Sequence, residues 1–241
     1  MQAVLQATGV RKRFGGRDVL AGVDLALQPG TVTVVLGENG AGKTTLLRVL
    51  AGDAPADGGT VQIQGVSLVD EADRARAGLI YVAQHPPLAP LLTLREHAQA
   101  LTSFRDLAPA EADADLQRLS RALHLHEALD RPVRALSGGM AHKAALVLAL
   151  MARTPLVLLD EPHSGLDVRS ALALRGLIAE ARAAGTAFLL ASHLAEATLA
   201  LADRALVLAR GDWTLDLDAQ ALAAFGGDAR RFEAQVLAAM G

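Results

Sequence analysis

The chain has 241 residues, 51% of them hydrophobic and 20% charged, and its mean hydropathy of +0.29 excludes a disordered tail while leaving ample apolar surface for a core. A net charge of −3 and a pI near 6.2 give no general pull toward nucleic acid or anionic lipid, and the absence of cysteine excludes disulfides and thiolate metal sites. The longest uncharged run, Ala77–Leu94, contains Gln84, His85, Pro86, Pro87 and Pro90, which makes it a poor spanning helix, and Met1–Val10 lacks the basic start and apolar stretch of a signal peptide.

In chain order, Val23, Leu25 and Leu27 alternate with Asp24 and Ala26, which predicts a half-buried strand. Gly30 turns the chain into a compact apolar strand, Thr31–Leu36, and Lys43–Leu50 follows as a helix apolar on most sides. Gly58-Gly59 introduces Val61 and Ile63 at period two, and Leu79–Val82 is a further strand. From about 93 to 153 the pattern is helical. Thr93 and Glu96 form a capping box, Pro109 opens the next helix, and Leu116, Leu119 and Leu123 follow at helical spacing. After Pro155 come apolar strands at Leu156–Leu159, Phe188–Ala191 and Ala205–Leu208, with helices between them. This alternation predicts an α/β core, a parallel sheet with helices on both faces, interrupted by a helical insertion within one domain spanning 1–241. The Ala-rich tail from about Leu217 reads as helical and carries no assigned chemistry.

Gly37-Glu38-Asn39-Gly40-Ala41-Gly42-Lys43-Thr44-Thr45 matches G-x-x-x-x-G-K-[ST] between a strand and a helix, the context its mechanism requires. Gly37, Gly40 and Gly42 let backbone wrap phosphate oxygens, Lys43 reaches the β- and γ-phosphates, and the Thr44 hydroxyl suits Mg2+. The apolar strand Leu156–Leu159 ends in Asp160 and Glu161. A buried strand does not end in paired carboxylates without a cation or solvent, so Asp160 suits the metal and Glu161 the attacking water.

Further motifs stand in a fixed order around these. Phe14 precedes the phosphate loop, Gln84 follows the strand Leu79–Val82, and Leu136-Ser137-Gly138-Gly139-Met140 opens a helix. Ser164-Gly165-Leu166-Asp167 follows the paired acids, and His193 follows the strand Phe188–Ala191. From Phe14 to His193, with the sheet pattern reaching Leu208, the chain resembles the nucleotide-binding domain of ABC transporters. The resemblance implies a P-loop NTPase core with a mainly parallel sheet, an N-terminal antiparallel β subdomain and an inserted helical subdomain. It also implies ATP and Mg2+ as ligands and a head-to-tail homodimer or heterodimer of such ATPases. ATP would lie on Gly37, Asn39, Gly40, Gly42, Lys43, Thr44 and Thr45, with Phe14 against adenine. Ser137, Gly138 and Gly139 of the other copy would close over it. Thr44, Gln84 and Asp160 would hold the metal, while Glu161, His193, Gln84 and Lys43 would act in hydrolysis.

The implied partner is an integral membrane permease on a separate chain, with the ATPase at the cytoplasmic face of the membrane and no nucleic acid involved. Gly-Gly-Met and Gly-Ala-Gly-Lys-Thr-Thr resemble the exporter-type branch, with an importer subunit or a soluble ATPase of the same type as alternatives. A coiled-coil repair ATPase does not fit the short, proline-containing gap between the phosphate loop and Ser137, and a two-cassette protein does not fit a single phosphate loop. A small-molecule kinase would lack Leu136–Gly139 and His193 in this order. A pseudo-ATPase scaffold does not fit the presence of Lys43, Thr44, Asp160, Glu161 and His193 together. Four features depart from the family pattern. Met140 replaces a glutamine, and Ala141-His142-Lys143 replaces a more basic run. His163 stands where a small, hydroxylated or aromatic residue is usual, and is read as packing. His124-x-His126 has no third ligand nearby and is read as helix surface. Leu88, Leu91 and Leu92, in the proline-rich segment after Gln84, either face a partner helix or turn onto the helical subdomain.

Overall fold

Two sheets carry the fold. In the computed structural model, which describes residues 2–241, the chain begins with β1 (Leu5–Phe14), β2 (Arg17–Leu27), β3 (Val32–Leu36), α1 (Lys43–Leu50), β4 (Gly58–Ile63), β5 (Val66–Ser67), α2 (Ala72–Ala77) and β6 (Leu79–Val82). The helical segment holds α3 (Leu94–Phe104), α4 (Pro109–Ala122) and α5 (Gly138–Met151), with 3-10 turns at His126–Ala128 and Val133–Ala135 between α4 and α5. The chain closes with β7 (Leu156–Asp160), α6 (Val168–Ala183), β8 (Ala187–Ala191), α7 (Ala195–Leu199), β9 (Arg204–Ala209), β10 (Asp212–Leu217), α8 (Ala219–Ala223) and α9 (Ala229–Met240).

The larger sheet has the order β10-β9-β3-β8-β7-β6, parallel throughout except for β10, which returns antiparallel to β9. Every residue of β3, β7 and β8 is buried, as continuous apolar runs in a doubly covered parallel sheet should be. The smaller sheet, β2-β1-β4-β5, is antiparallel, and β2 follows the alternation that Val23, Leu25 and Leu27 announce. Its apolar face must be buried by another layer. That layer is α1 and the larger sheet: Val10, Val23 and Leu25 share a core with Leu46, Leu47 and Leu50 of α1 and with Leu158 and Leu189. The expectation of helices on both faces holds, with α1 on this side and the antiparallel sheet as a further layer over it. The opposite face is helical, with Leu146 of α5, Leu174 and Ile178 of α6 and Phe232 of α9 packed on Val34, Leu159 and Leu190.

Local signals hold where the chemistry is local. Thr93 Oγ1 accepts from the Glu96 amide at 3.1 Å and Glu96 Oε2 accepts from the Thr93 amide at 2.8 Å, completing the capping box of α3. Pro109 occupies the first turn of α4, and Leu116 and Leu119 are buried. His124 does not lie on a helix surface. It stands just beyond α4 at φ +57°, where the chain leaves the helix, and His126 belongs to the following 3-10 turn.

Candidate functional site

β3 delivers the phosphate loop at its carboxyl end. A Cβ on Gly37 would lie 2.6 Å from the Leu208 carbonyl of β9, so only glycine fits there. Gly42, at φ +107°, is the N-cap of α1 and supplies no side-chain cap. The first-turn N–H groups of α1 are thus left for an anion, with the helix dipole behind them. Lys43 is 6% exposed, and its Nζ donates to the carbonyls of Gly37 at 2.7 Å and Glu38 at 3.1 Å. Burial lowers the pKa of this ammonium, while Glu161 and Asp160 pull it back up.

A cleft of about 470 Å³ opens over the loop, lined by Val19, Asn39, Gly40, Gly42, Lys43, Thr44, Thr45, Gln84, Glu161 and His193. Nine of the residues singled out in the sequence therefore meet in one space, with Val19 of β2 completing it. Val19 carries no sequence signal of its own; it reaches the site because β2 crosses beside Gly42, 3.0 Å from where a Cβ on that glycine would stand.

Asp160 ends β7 at 1% exposure, and neither carboxylate oxygen has a hydrogen-bond partner among the described residues. Burial raises its pKa, checked by the Thr44 hydroxyl, Lys43 and the Tyr81 hydroxyl. A buried carboxylate left without partners beside a threonine hydroxyl fits a divalent cation, with Thr44, Asp160 and Gln84 as the residues to hold it. Tyr81 was not anticipated. It pairs with Leu158 in the β6–β7 ladder, on the face that Asp160 shares two residues on, and its own hydroxyl is buried with no hydrogen-bond partner among the described residues. Burial first, then Asp160, pushes its pKa far up.

Glu161 leaves the strand at φ +51°, its amide donating to the Ala191 carbonyl of β8 at 2.9 Å. That turn aims its side chain away from Asp160 and toward the loop after β8. There His193 Nδ1 donates to Glu161 Oε2 at 2.8 Å; a carboxylate accepts, so the proton is on Nδ1.

Ser137, Gly138 and Gly139 are not among the residues lining this cleft. Ser137 is the N-cap of α5, its Oγ accepting from the Met140 amide at 3.3 Å. Gly139 packs on the Ser164–Asp167 loop, where a Cβ would lie 2.8 Å from the Gly165 carbonyl. The same junction is fastened by Lys143, whose Nζ donates to Asp167 Oδ2 at 2.7 Å, while Asp167 caps α6 through the Ser170 amide at 2.9 Å and hydroxyl at 2.8 Å. These donors hold the Asp167 carboxyl far below the usual range, the Lys143 bond foremost. Phe14 also stands outside the cleft lining, 54% exposed at the end of β1, with the Lys12 ammonium 5.4 Å from its ring centre.

After Gln84 the chain divides its leucines. Leu88 turns inward with Pro86, Pro87, Tyr81, Leu101 and Phe104 around an apolar groove of about 380 Å³, whereas Leu91 is 69% exposed. His97 fixes this segment, its Nε2 accepting from the Ala89 amide at 3.0 Å. The tail assigned no chemistry lies against the site: Glu233, Val236, Leu237 and Met240 of α9 share a cavity of about 290 Å³ with Gly37, Glu38, Asn39 and His193.

Residues 20–164 match the family described as ABC transporter. The Nod factor export ATP-binding protein I of Ralstonia nicotianae is 33% identical over 208 residues, covering 86% of this chain; the chain spans 65% of that relative's length, just under two thirds. The lipopolysaccharide export system ATP-binding protein LptB of Escherichia coli is 32% identical over 212 residues, covering 87% of this chain and 88% of LptB. Among solved structures, the ATP-binding subunit of an ABC transporter superposes with a TM-score of 0.88 at 26% identity, over 97% of this chain and 99% of that one.

Proposed function

The chain belongs to the ABC transporter family as one of its ATP-binding ATPases, and from that premise we propose that it hydrolyses ATP in the cleft above Lys43 to drive export through a separate membrane permease. The observation that carries the hydrolytic reading is the 2.8 Å bond between His193 and Glu161 in the same cleft as Lys43, Thr44 and Gln84.

The phosphates of ATP lie on the N–H groups of the loop from Gly37 to Thr45, and Lys43 turns from its own loop carbonyls to their oxygens. Thr44, Asp160 and Gln84 would hold Mg2+, which would supply neutralising positive charge at the phosphates. Glu161 orients a water and accepts its proton as the water oxygen bonds to the γ-phosphorus and the bond to the β–γ bridging oxygen breaks. His193 fixes the aim of the carboxylate from one side and reaches the γ-phosphate from the cleft wall. Phe14 provides a ring at the outer rim against the adenine.

Two copies arranged head to tail complete the site, with Ser137, Gly138 and Gly139 of the second copy presenting the amino terminus of its α5 to the γ-phosphate. The copies are identical or paired with a related ATPase. The groove holding Leu88 receives an apolar helix of the permease, and the exposed Leu91 extends that contact. Among the described residues no helix is long and apolar enough to cross a membrane, which accords with work at the cytoplasmic face through a partner. The names of the two relatives, both export ATP-binding proteins, support export over import.

The test is Glu161→Gln. The variant is expected to bind ATP normally, to accumulate as an ATP-bound dimer in size-exclusion chromatography, and to release phosphate about 10²–10⁴-fold more slowly. Phosphate release near the unsubstituted rate would remove Glu161 from the role of base.

A further inference from the structure

Two departures from the family pattern, His142 and His163, are 21 positions apart in sequence and lie near enough for charge on one to disfavour charge on the other. His142 lies in the second turn of α5, 3% exposed, with Nε2 3.2 Å from the Pro162 carbonyl. A carbonyl only accepts, so Nε2 carries the proton and Nδ1 is left as a bare acceptor; that atom is buried and unpartnered. The Gln84 carbonyl faces the same ring, with the His85 imidazole beyond it. His163 Nδ1 is also buried, with no hydrogen-bond partner among the described residues. Burial disfavours the charged form of both rings.

His142 thus touches all three segments that the reaction has to align. It rides on the helix that Ser137 opens, it hydrogen-bonds the residue that follows Glu161, and it faces the backbone of Gln84. The turn at Glu161 needs such a brace. Its φ is +51°, a conformation that side chains rarely adopt, and Pro162 has no N–H with which to anchor it. On the other side of the turn the Glu161 carbonyl accepts from the Ser164 amide, at 2.9 Å, within the same loop.

We propose that His142, backed by His163, is a positioning residue that braces the Glu161–Pro162 turn against α5 and the Gln84 loop, so that Glu161 keeps its aim at the attacking water. The inference rests on the reading of Glu161 as the base. Neither imidazole reaches the substrate; the pair acts through the turn. Substitution therefore lowers turnover and leaves ATP affinity alone, because the phosphate loop, on β3 and α1, is untouched.

The experiment measures kcat, KM for ATP and melting temperature in the full-length chain with MgATP. His142→Met keeps bulk and burial but removes the donor; kcat is expected to fall about tenfold with KM within about twofold. His142→Gln retains an N–H that can reach the Pro162 carbonyl and is expected to keep kcat within about twofold of the unsubstituted chain. His163→Ser is expected to lower kcat about threefold alone and to add nothing in the His142→Met background, since coupled neighbours are not additive. Unchanged kcat in His142→Met, a loss in KM instead of kcat, failure of glutamine to rescue, or additivity with His163→Ser would each overturn the proposal. Should His142→Met be insoluble, His142→Gln and His163→Ser decide it on the same criteria. Glu161→Gln separates the two readings. If it still hydrolyses ATP, the base assignment falls and this one with it; if it is inert while His142→Met is unimpaired, only the histidine assignment falls.

Discussion

In the proposed function two helix amino termini, those of α1 and α5, meet phosphate, and they are finished differently. At α1 the N-cap is Gly42, no side chain satisfies the first-turn amides, and the neighbouring Lys43 is buried in its own loop. At α5 the Ser137 hydroxyl takes up the Met140 amide, and both Ser137 and Gly138 are exposed. The first terminus is incomplete by itself and is completed by a ligand. The second is already capped and faces outward, so it adds to a site only when another surface approaches it. On the proposed function, affinity belongs to α1 and closure to α5.

The largest effect expected from this division is at Lys43. Lys43→Met should weaken ATP binding about 100-fold, read by fluorescent-nucleotide titration, because charge-assisted bonds to phosphate are lost. A variant that bound ATP normally would place affinity elsewhere. Next, Gly139→Val drives a side chain into the Gly165 carbonyl, and hydrolysis should fall about tenfold or more. ATP binding by the single chain should stay unchanged; a parallel loss of affinity would merge the two termini into one site.

A third test bears on the fastening behind α5. Asp167 has a depressed pKa in the fold, so its contribution to stability is complete above the usual carboxylate range and disappears as pH falls through the depressed value. Asp167→Asn, which also leaves the buried Lys143 without its partner, should unfold at lower urea near pH 7, with the deficit shrinking as both proteins are taken toward pH 2. A deficit that is constant with pH would detach stability from this ion pair. Smallest is Phe14→Ala, expected to weaken ATP binding about fivefold through lost stacking and to leave kcat alone.

What the sequence disclosed follows the range of the interactions. The capping box at Thr93, the proline start at Pro109 and the bounds of α1 depend on residues within one turn, and they stand where expected. The order of the phosphate loop, Gln84, the paired acids and His193 was legible because each sits at a strand end, and parallel strands bring their carboxyl ends to one edge. Strand order itself was not legible. Tyr81 faces Asp160 only because β6 pairs with β7 across the whole helical segment. The same holds for Val19 beside Gly42, for His142 beside His163, and for α9 beside the phosphate loop, all contacts between distant segments. That the antiparallel sheet covers α1 was not legible for a related reason. Period-two burial announces a strand with one apolar face, but it does not say which surface that face will cover.

The place of β3 in the larger sheet has a consequence for biosynthesis. Val32 pairs with Phe188 on one side and Thr33 with Arg204 on the other, so the strand that ends in the phosphate loop lies between two strands made long after it in translation. Gly37 is likewise seated against Leu208. A nascent chain carrying the entire G-x-x-x-x-G-K-T motif but lacking β8 and β9 has neither wall of the cleft nor His193. Nucleotide can assist folding only once β8 and β9 have left the ribosome, and until then the exposed edges of β3 are surface for a chaperone to cover.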